Sequence, residues 1–317
     1  MLARHAEDLF WIGRYLERAE DTARMLDVTY HGVLEAGSER QPGELWAELL
    51  EVLFLDDEVE DPDAAGGDAV GRLLIAERAF GGSVVSLIER ARENARTTRE
   101  WLSAEVWESV NELHLRLGRI DLEAAAAGQP YDVLRVVKSG CQAATGAVEA
   151  SMPRGEGHRF LIIGQRLERA LITSRQLRVW RRRVGGFTSP AAYAEWVKLL
   201  RSLSAYEAYL REHRASMEGG RVLQFLLQSS ELPRSVLHCL GSCERMLVAM
   251  ESRDYGVNAR RMVGRIKAEV EFAEDGTLAD AAFLERLEES VVALASEIEE
   301  DYFRPGPSIL MHSFEAF

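Results

Sequence analysis

A chain of 317 residues with 47% hydrophobic positions can close one large core or two of ordinary size, and its net charge of −14 argues against non-specific binding to nucleic acid or to an anionic membrane. Only three of the 38 cationic residues are lysines (138, 198 and 267), so lysine chemistry has little to draw on. Arginine suits ion-pair networks and bidentate capture of carboxylate or phosphate instead.

The stretch from Met1 to Asp8 carries Arg4, His5, Glu7 and Asp8 with no apolar run behind it, so no signal peptide is expected. No segment approaches the ~18 apolar residues that a bilayer span needs. The three cysteines, Cys141, Cys239 and Cys243, have no framework spacing and fit a reducing compartment. The expected location is the cytoplasm.

Helical periodicity begins at once. Leu9, Ile12, Leu16, Ala19, Ala23 and Leu26 recur at alternating intervals of three and four, an apolar stripe along one helix face. Continuing along the chain, helices are predicted near 3–30, 43–56, 69–79, 83–126, 132–150, 158–184, 190–213, 219–229, 234–253, 257–272 and 278–302. Seven of the eight prolines fall between these segments and Pro190 opens one, the places where helices tolerate them. Alternation of strand type is nowhere sustained. The predicted fold class is all-α.

Residues 9–28, LFWIGRYLERAEDTARMLDV, align without gaps to 160–179, FLIIGQRLERALITSRQLRV, with ten of twenty positions identical. Trp46, Leu49, Leu50 and Leu53 match Trp196, Leu199, Leu200 and Leu203, and Ser83-Val84 matches Ser235-Val236. A shared heptad would reproduce the leucines but not Gly, Glu-Arg, Thr and Trp in register. The expected architecture is a helical bundle of two diverged tandem repeats, 1–152 and 153–302, packed about a pseudo-twofold axis as one continuous bundle. Residues 303–317 form a tail whose Ile309, Leu310, Met311, Phe314 and Phe317 should dock on the bundle or on a partner.

Many chemistries are absent from the sequence. It contains no His-Glu-x-x-His, no phosphate-binding glycine loop and no nucleophile elbow. Cys239 and Cys243, one helical turn apart with His238 beside them, would need further ligands to hold a metal. No metal and no cofactor are expected.

Two arginine- and glutamate-rich clusters carry what functional signal there is. Glu-Arg occurs seven times, so the dipeptide is weak by itself. Glu17-Arg18 and Glu168-Arg169 stand out because they hold matching positions in matching helices. They flank the packing stripe, where a second layer of helices would cover them. They serve either as interdigitated ion pairs locking the two halves or as an anion pocket at the pseudo-twofold. The second cluster is Arg92, Glu93, Asn94, Arg96 and Arg99. On a continuous helix its arginines share one face, bracketed by Trp101 and Trp107 as if roofing a polar cavity. A solvated, salt-bridged helix is the plainer reading.

Together LFWIGRYLERAEDTARMLDV, the RENAR segment and MPRGEGHRFLIIGQRLERA resemble the bacterial alpha-E family, all-helical proteins named for a Glu-Arg motif. The resemblance runs over essentially the whole chain. It implies a genetic association with circularly permuted ATP-grasp and transglutaminase-like proteins, and so a role in ATP-dependent amide-bond formation on a peptide or small metabolite. The matching positions are Glu17, Arg18, Glu168, Arg169, Arg92, Asn94 and Arg96. Leu171 departs from the pattern where Glu20 stands in the first copy, as does Phe80-Gly-Gly82 before Ser83. The leading expectation is an accessory component that binds an ATP-grasp-type ligase, a transglutaminase-like protein or their peptide substrate. The alternatives are an enzyme of that pathway, with Arg clamps and a Glu as general base, and a purely structural dimerisation module, a homo-oligomer of this chain.

Overall fold

In a computed structural model the described residues are predominantly helical. The structure describes residues 1–35, 42–55, 66–128, 130–183, 190–213, 217–250 and 256–304. Among these there are fifteen α-helices and no strand. The helices are α1 (Ala3–Glu35), α2 (Pro42–Leu53), α3 (Gly67–Gly71), α4 (Val84–Thr97), α5 (Ala104–Leu117), α6 (Leu122–Ala127), α7 (Tyr131–Ser151) and α8 (Glu156–Arg183). They continue as α9 (Pro190–Ser202), α10 (Tyr206–His213), α11 (Gly219–Gln228), α12 (Val236–Val248), α13 (Val257–Glu271), α14 (Asp275–Leu278) and α15 (Ala281–Ile298). No helix among the described residues is long and apolar enough to cross a membrane.

The organising contact is between α1 and α8. Their partners advance together, from Met1 on Glu156 to Glu17 on Arg169, so the two helices run side by side in the same sense. Glycine makes the approach possible. A Cβ on Gly13 would lie 2.8 Å from the Gln165 amide nitrogen and closer still to the Leu161 carbonyl oxygen. A Cβ on Gly164 would lie 2.9 Å from the Phe10 carbonyl carbon and closer still to its oxygen. Each glycine thus meets the other helix's backbone directly, at a position where any side chain would hold the helices apart.

Both central helices are enclosed by others. α1 is flanked by α4 and α7, with α5 against both of those; α8 is flanked by α12 and α15, with α13 against both. Every residue of the predicted stripe, from Leu9 to Leu26, is buried. Phe303, the last residue of a π-helical turn (Glu299–Phe303) that follows α15, closes one end of the crossing by packing its ring at a tilt against Phe10 and Phe160. The rest of the predicted docking tail, 305–317, lies outside the described residues.

Two predicted helices are interrupted by turns that periodicity did not show. The segment expected as one helix over 83–126 is α4, a 3₁₀ turn (Arg99–Trp101), α5 and α6. The hydroxyls of Thr97 and Thr98 both donate to the Asn94 carbonyl, ending α4, and Ser103 caps α5 by accepting from the Val106 amide. The segment expected over 190–213 breaks between α9 and α10 at Ser204, whose φ is 51°. Apolar spacing survives a tight turn, so periodicity alone runs straight through both breaks.

Candidate functional site

The close α1–α8 crossing sets the two Glu-Arg pairs face to face. Arg169 donates to both Glu17 carboxylate oxygens, from Nε at 2.6 Å and Nη2 at 2.7 Å. Arg18 does the same to Glu168, from Nε at 2.6 Å and Nη2 at 3.0 Å. Each glutamate takes a second arginine from a different place. Arg14 donates from Nε to Glu168 at 2.7 Å, and Arg234, just before α12, reaches Glu17 at 3.2 Å.

Both glutamates are almost fully enclosed. Burial pushes their carboxyls up, but paired guanidiniums at hydrogen-bonding distance outweigh it and hold both at about 2. The Arg169 guanidinium is raised correspondingly by Glu17, against its own burial. Breaking such a pair from one side costs ~3–5 kcal/mol, because a charge is left buried alone.

On one side of the crossing the network widens. Arg234 Nη1 donates to Asp21 at 2.5 Å and Nη2 to Glu20 at 3.4 Å. Glu20 also accepts from Arg24 and from Gln142 Nε2, the latter at 3.1 Å. Burial, with Glu17 and Glu20 alongside, pushes the Asp21 carboxyl up to about 7 although Arg234 opposes it. These groups border a cleft of about 270 Å³ lined by Glu20, Arg24, Gln142, Thr145, Arg169 and Arg234, with Ser204, Leu232 and Pro233 completing its wall.

On the opposite side the corresponding positions of α8 are Leu171 and Ile172, both buried in the apolar core. Arg175 of α8, the counterpart of Arg24, takes its carboxylate from α15 instead: the buried Glu288 accepts from Arg175 Nε at 3.1 Å and from Arg178 Nε at 2.7 Å.

The second sequence cluster lies elsewhere. Arg92 donates from Nε to Asn111 at 2.8 Å, and its guanidinium and that of Arg99 sit over the Trp107 ring. Glu93 and Arg96 pair with each other on the exposed surface. Asn94 donates to the Asp8 carbonyl at 3.3 Å, tying α4 to α1. Asp8 precedes Glu17 by nine residues, about 14 Å along the helix, so this cluster and the Glu-Arg pairs do not converge.

One expectation about this cluster is corrected. Arg99 follows the end of α4, so no continuous arginine face exists. Trp101 is exposed and donates to His5 and Glu100.

Cys239 and Cys243 are buried against backbone carbonyls of Pro233 and Ile163. Burial pushes the Cys239 thiol up to about 11, and the Cys243 thiol higher.

Arg14, Asp21, Arg24, Gln142 and Arg234 were not singled out from sequence. Those on α1 had a signal: Arg14, Asp21 and Arg24 stand at i−3, i+4 and i+7 from Glu17, the spacing of one face. Gln142 and Arg234 come from far along the chain, and only packing brings them to Glu20.

Compared with known families, the chain matches over residues 1–303 the model of Alpha-E, described as a predicted alpha-helical domain with a conserved ER motif. No match is found among curated proteins or among solved structures. The chain belongs to the Alpha-E family.

Proposed function

We propose that this Alpha-E chain is a non-catalytic accessory component that binds a partner enzyme or substrate of an ATP-grasp-linked, amide-bond-forming system. The observation that carries the non-catalytic reading is the state of the Glu-Arg residues. A general base works best with a pKa near the ambient pH. Glu17 and Glu168 are held at about 2 and are saturated by arginine, which suits a lock between helices and not proton transfer. The ligase partner comes from the family resemblance alone.

In the same proposal the two halves are diverged copies related by a pseudo-twofold axis through the α1–α8 crossing. The reciprocal contacts support this. Gly13 meets Leu161 as Gly164 meets Phe10, and Glu17 takes Arg169 as Glu168 takes Arg18. Ser83 and Ser235 cap α4 and α12 alike.

The runner-up, an enzyme of the same system, is favoured by one observation. Asp21 sits at about 7, where a buried carboxyl could exchange a proton. The test is affinity purification of the full chain from its native cell, with mass spectrometry of what accompanies it. The accessory reading expects an ATP-grasp-type or transglutaminase-like protein, retained by Asp21→Asn. Amide formation by the isolated chain, abolished in Asp21→Asn, would overturn it.

A further inference from the structure

We propose that the cleft between α1, α7 and the segment before α12 binds a small molecule through an oxyanion group, a carboxylate or a phosphate, held by Arg24, Arg169 and Arg234. The inference is separate from the accessory role and stands whether or not the chain joins a ligase.

The first argument is charge. Three guanidinium groups, Arg24, Arg169 and Arg234, line the cleft, and Arg166 stands one turn before Arg169 on α8, beside Glu17; against these four are three carboxylates, Glu17, Glu20 and Asp21. Of the groups lining it, three are arginines and one is a carboxylate. An unmatched cation in a largely buried cluster is costly, and an anion in the cleft offsets it.

The second argument is hydrogen bonding. Glu20 Oε1 already accepts from Arg24, Gln142 and Arg234, and the network's unpartnered carboxylate oxygen, Asp21 Oδ2, is buried and off the cleft wall. The donors are not. Arg24 Nε is buried with no hydrogen-bond partner, as is Arg166 Nε one turn before Arg169 on α8, and the Arg169 Nη1 contact to the Pro233 carbonyl is long at 3.4 Å. Guanidinium N–H groups that lack acceptors favour a ligand with several acceptor oxygens. Thr145 and Ser204 add hydroxyls at the wall. Ser204 is held there in a left-handed backbone conformation that a non-glycine residue adopts at a cost.

The third argument is size. At about 270 Å³ the cleft falls just below the ~300–1,000 Å³ of sites for drug-sized ligands, which suits a compact metabolite.

The probes are inorganic phosphate and succinate, titrated separately against the full chain in thermal denaturation, with sodium chloride at matched ionic strength as reference. A ligand at about one hundred times its Kd raises the midpoint by roughly 5 °C in a protein of this size. Protection by phosphate or by succinate identifies which oxyanion the cleft prefers. The site-specific control is Gln142→Glu. This exposed position on α7 can change without disturbing the core, and a carboxylate there faces Glu20 and repels the ligand. The expected result is protection of the wild type that disappears in Gln142→Glu, each measured from its own anion-free midpoint. Protection by neither probe beyond sodium chloride, or protection that survives in Gln142→Glu, would overturn the proposal.

Discussion

Gly13→Ala tests the crossing on which the site depends. In an unobstructed helix this change stabilises by up to ~1 kcal/mol, because alanine has the higher helix propensity. Here the added methyl would begin 2.8 Å from the Gln165 amide nitrogen, whereas ordinary contact starts at 3.4 Å. The helices must retreat by the difference, and by more to clear the Leu161 carbonyl oxygen. No rotamer relieves a clash with backbone.

A gap of that size forfeits a quarter or more of each dispersion contact along the crossing. It also stretches the Glu17–Arg169 and Glu168–Arg18 bonds, now at 2.6–3.0 Å. Overpacking costs ~1–3 kcal/mol, and the loosened ion pairs add to it, so the net loss after the propensity gain is about 2–4 kcal/mol. At roughly 2 °C per kcal/mol in a chain this long, the melting temperature should fall by about 4–8 °C.

Gly146→Ala is the internal control, since a Cβ there meets nothing within 4 Å and the position is on α7. It should raise the midpoint slightly. Gly164→Ala should cost about as much as Gly13→Ala if the halves are related by a pseudo-twofold. If Gly13→Ala is as stable as the wild type while Gly146→Ala behaves as expected, the backbone-to-backbone packing of α1 on α8 is wrong.

Other outcomes follow from the network. Glu17→Gln leaves Arg169 and Arg234 buried without their shared carboxylate and should lower stability by ~3–5 kcal/mol in urea denaturation; a loss below ~1 kcal/mol would show that the lock carries little. Glu17 and Glu168, held at about 2 against an ordinary 4.5, contribute stability that is complete above 4.5 and is lost as pH falls toward 2. Asp21 works in the opposite direction. Raised from 3.8 to about 7, it keeps its proton in the folded chain longer than in the unfolded one, so its contribution is full below 3.8 and lost as pH rises through about 7. Asp21→Asn should therefore flatten the decline in stability between these values, and an unchanged pH profile in that variant would refute the assignment. Cys239 and Cys243 should resist a thiol reagent at neutral pH until the chain is unfolded, which a labelling time course in urea measures directly.

Much of this molecule was legible from its amino acids. The three-and-four spacing from Leu9 to Leu26 identified α1 and its buried stripe, because apolar burial imposes the helical period wherever one face meets a core. The matched Gly, Glu-Arg and Thr of 9–28 and 160–179 marked α1 and α8 as the helices of interest, since side chains that meet backbone or buried charge are less replaceable than leucines. Local capping ended α4 at Thr97 and Thr98, and restarted the chain at Ser103, in residues a sequence reader can see but periodicity outvotes.

Tertiary structure decided which charges meet. Nothing local distinguishes Glu17, which faces Arg169, from Glu93, which faces solvent beside Arg96; both precede or flank arginines on helices. Partner choice depends on which helix crosses which, and at what depth. That depth is set here by two glycines whose missing methyls let the backbones touch. Arg234 and Gln142 reach Glu20 across 214 and 122 residues of chain, so the cleft exists only once α1, α7 and the segment before α12 have packed together. Long-range electrostatics of this kind is a property of the assembled core, where low exposure turns ordinary ion pairs into a network that must be satisfied as a whole.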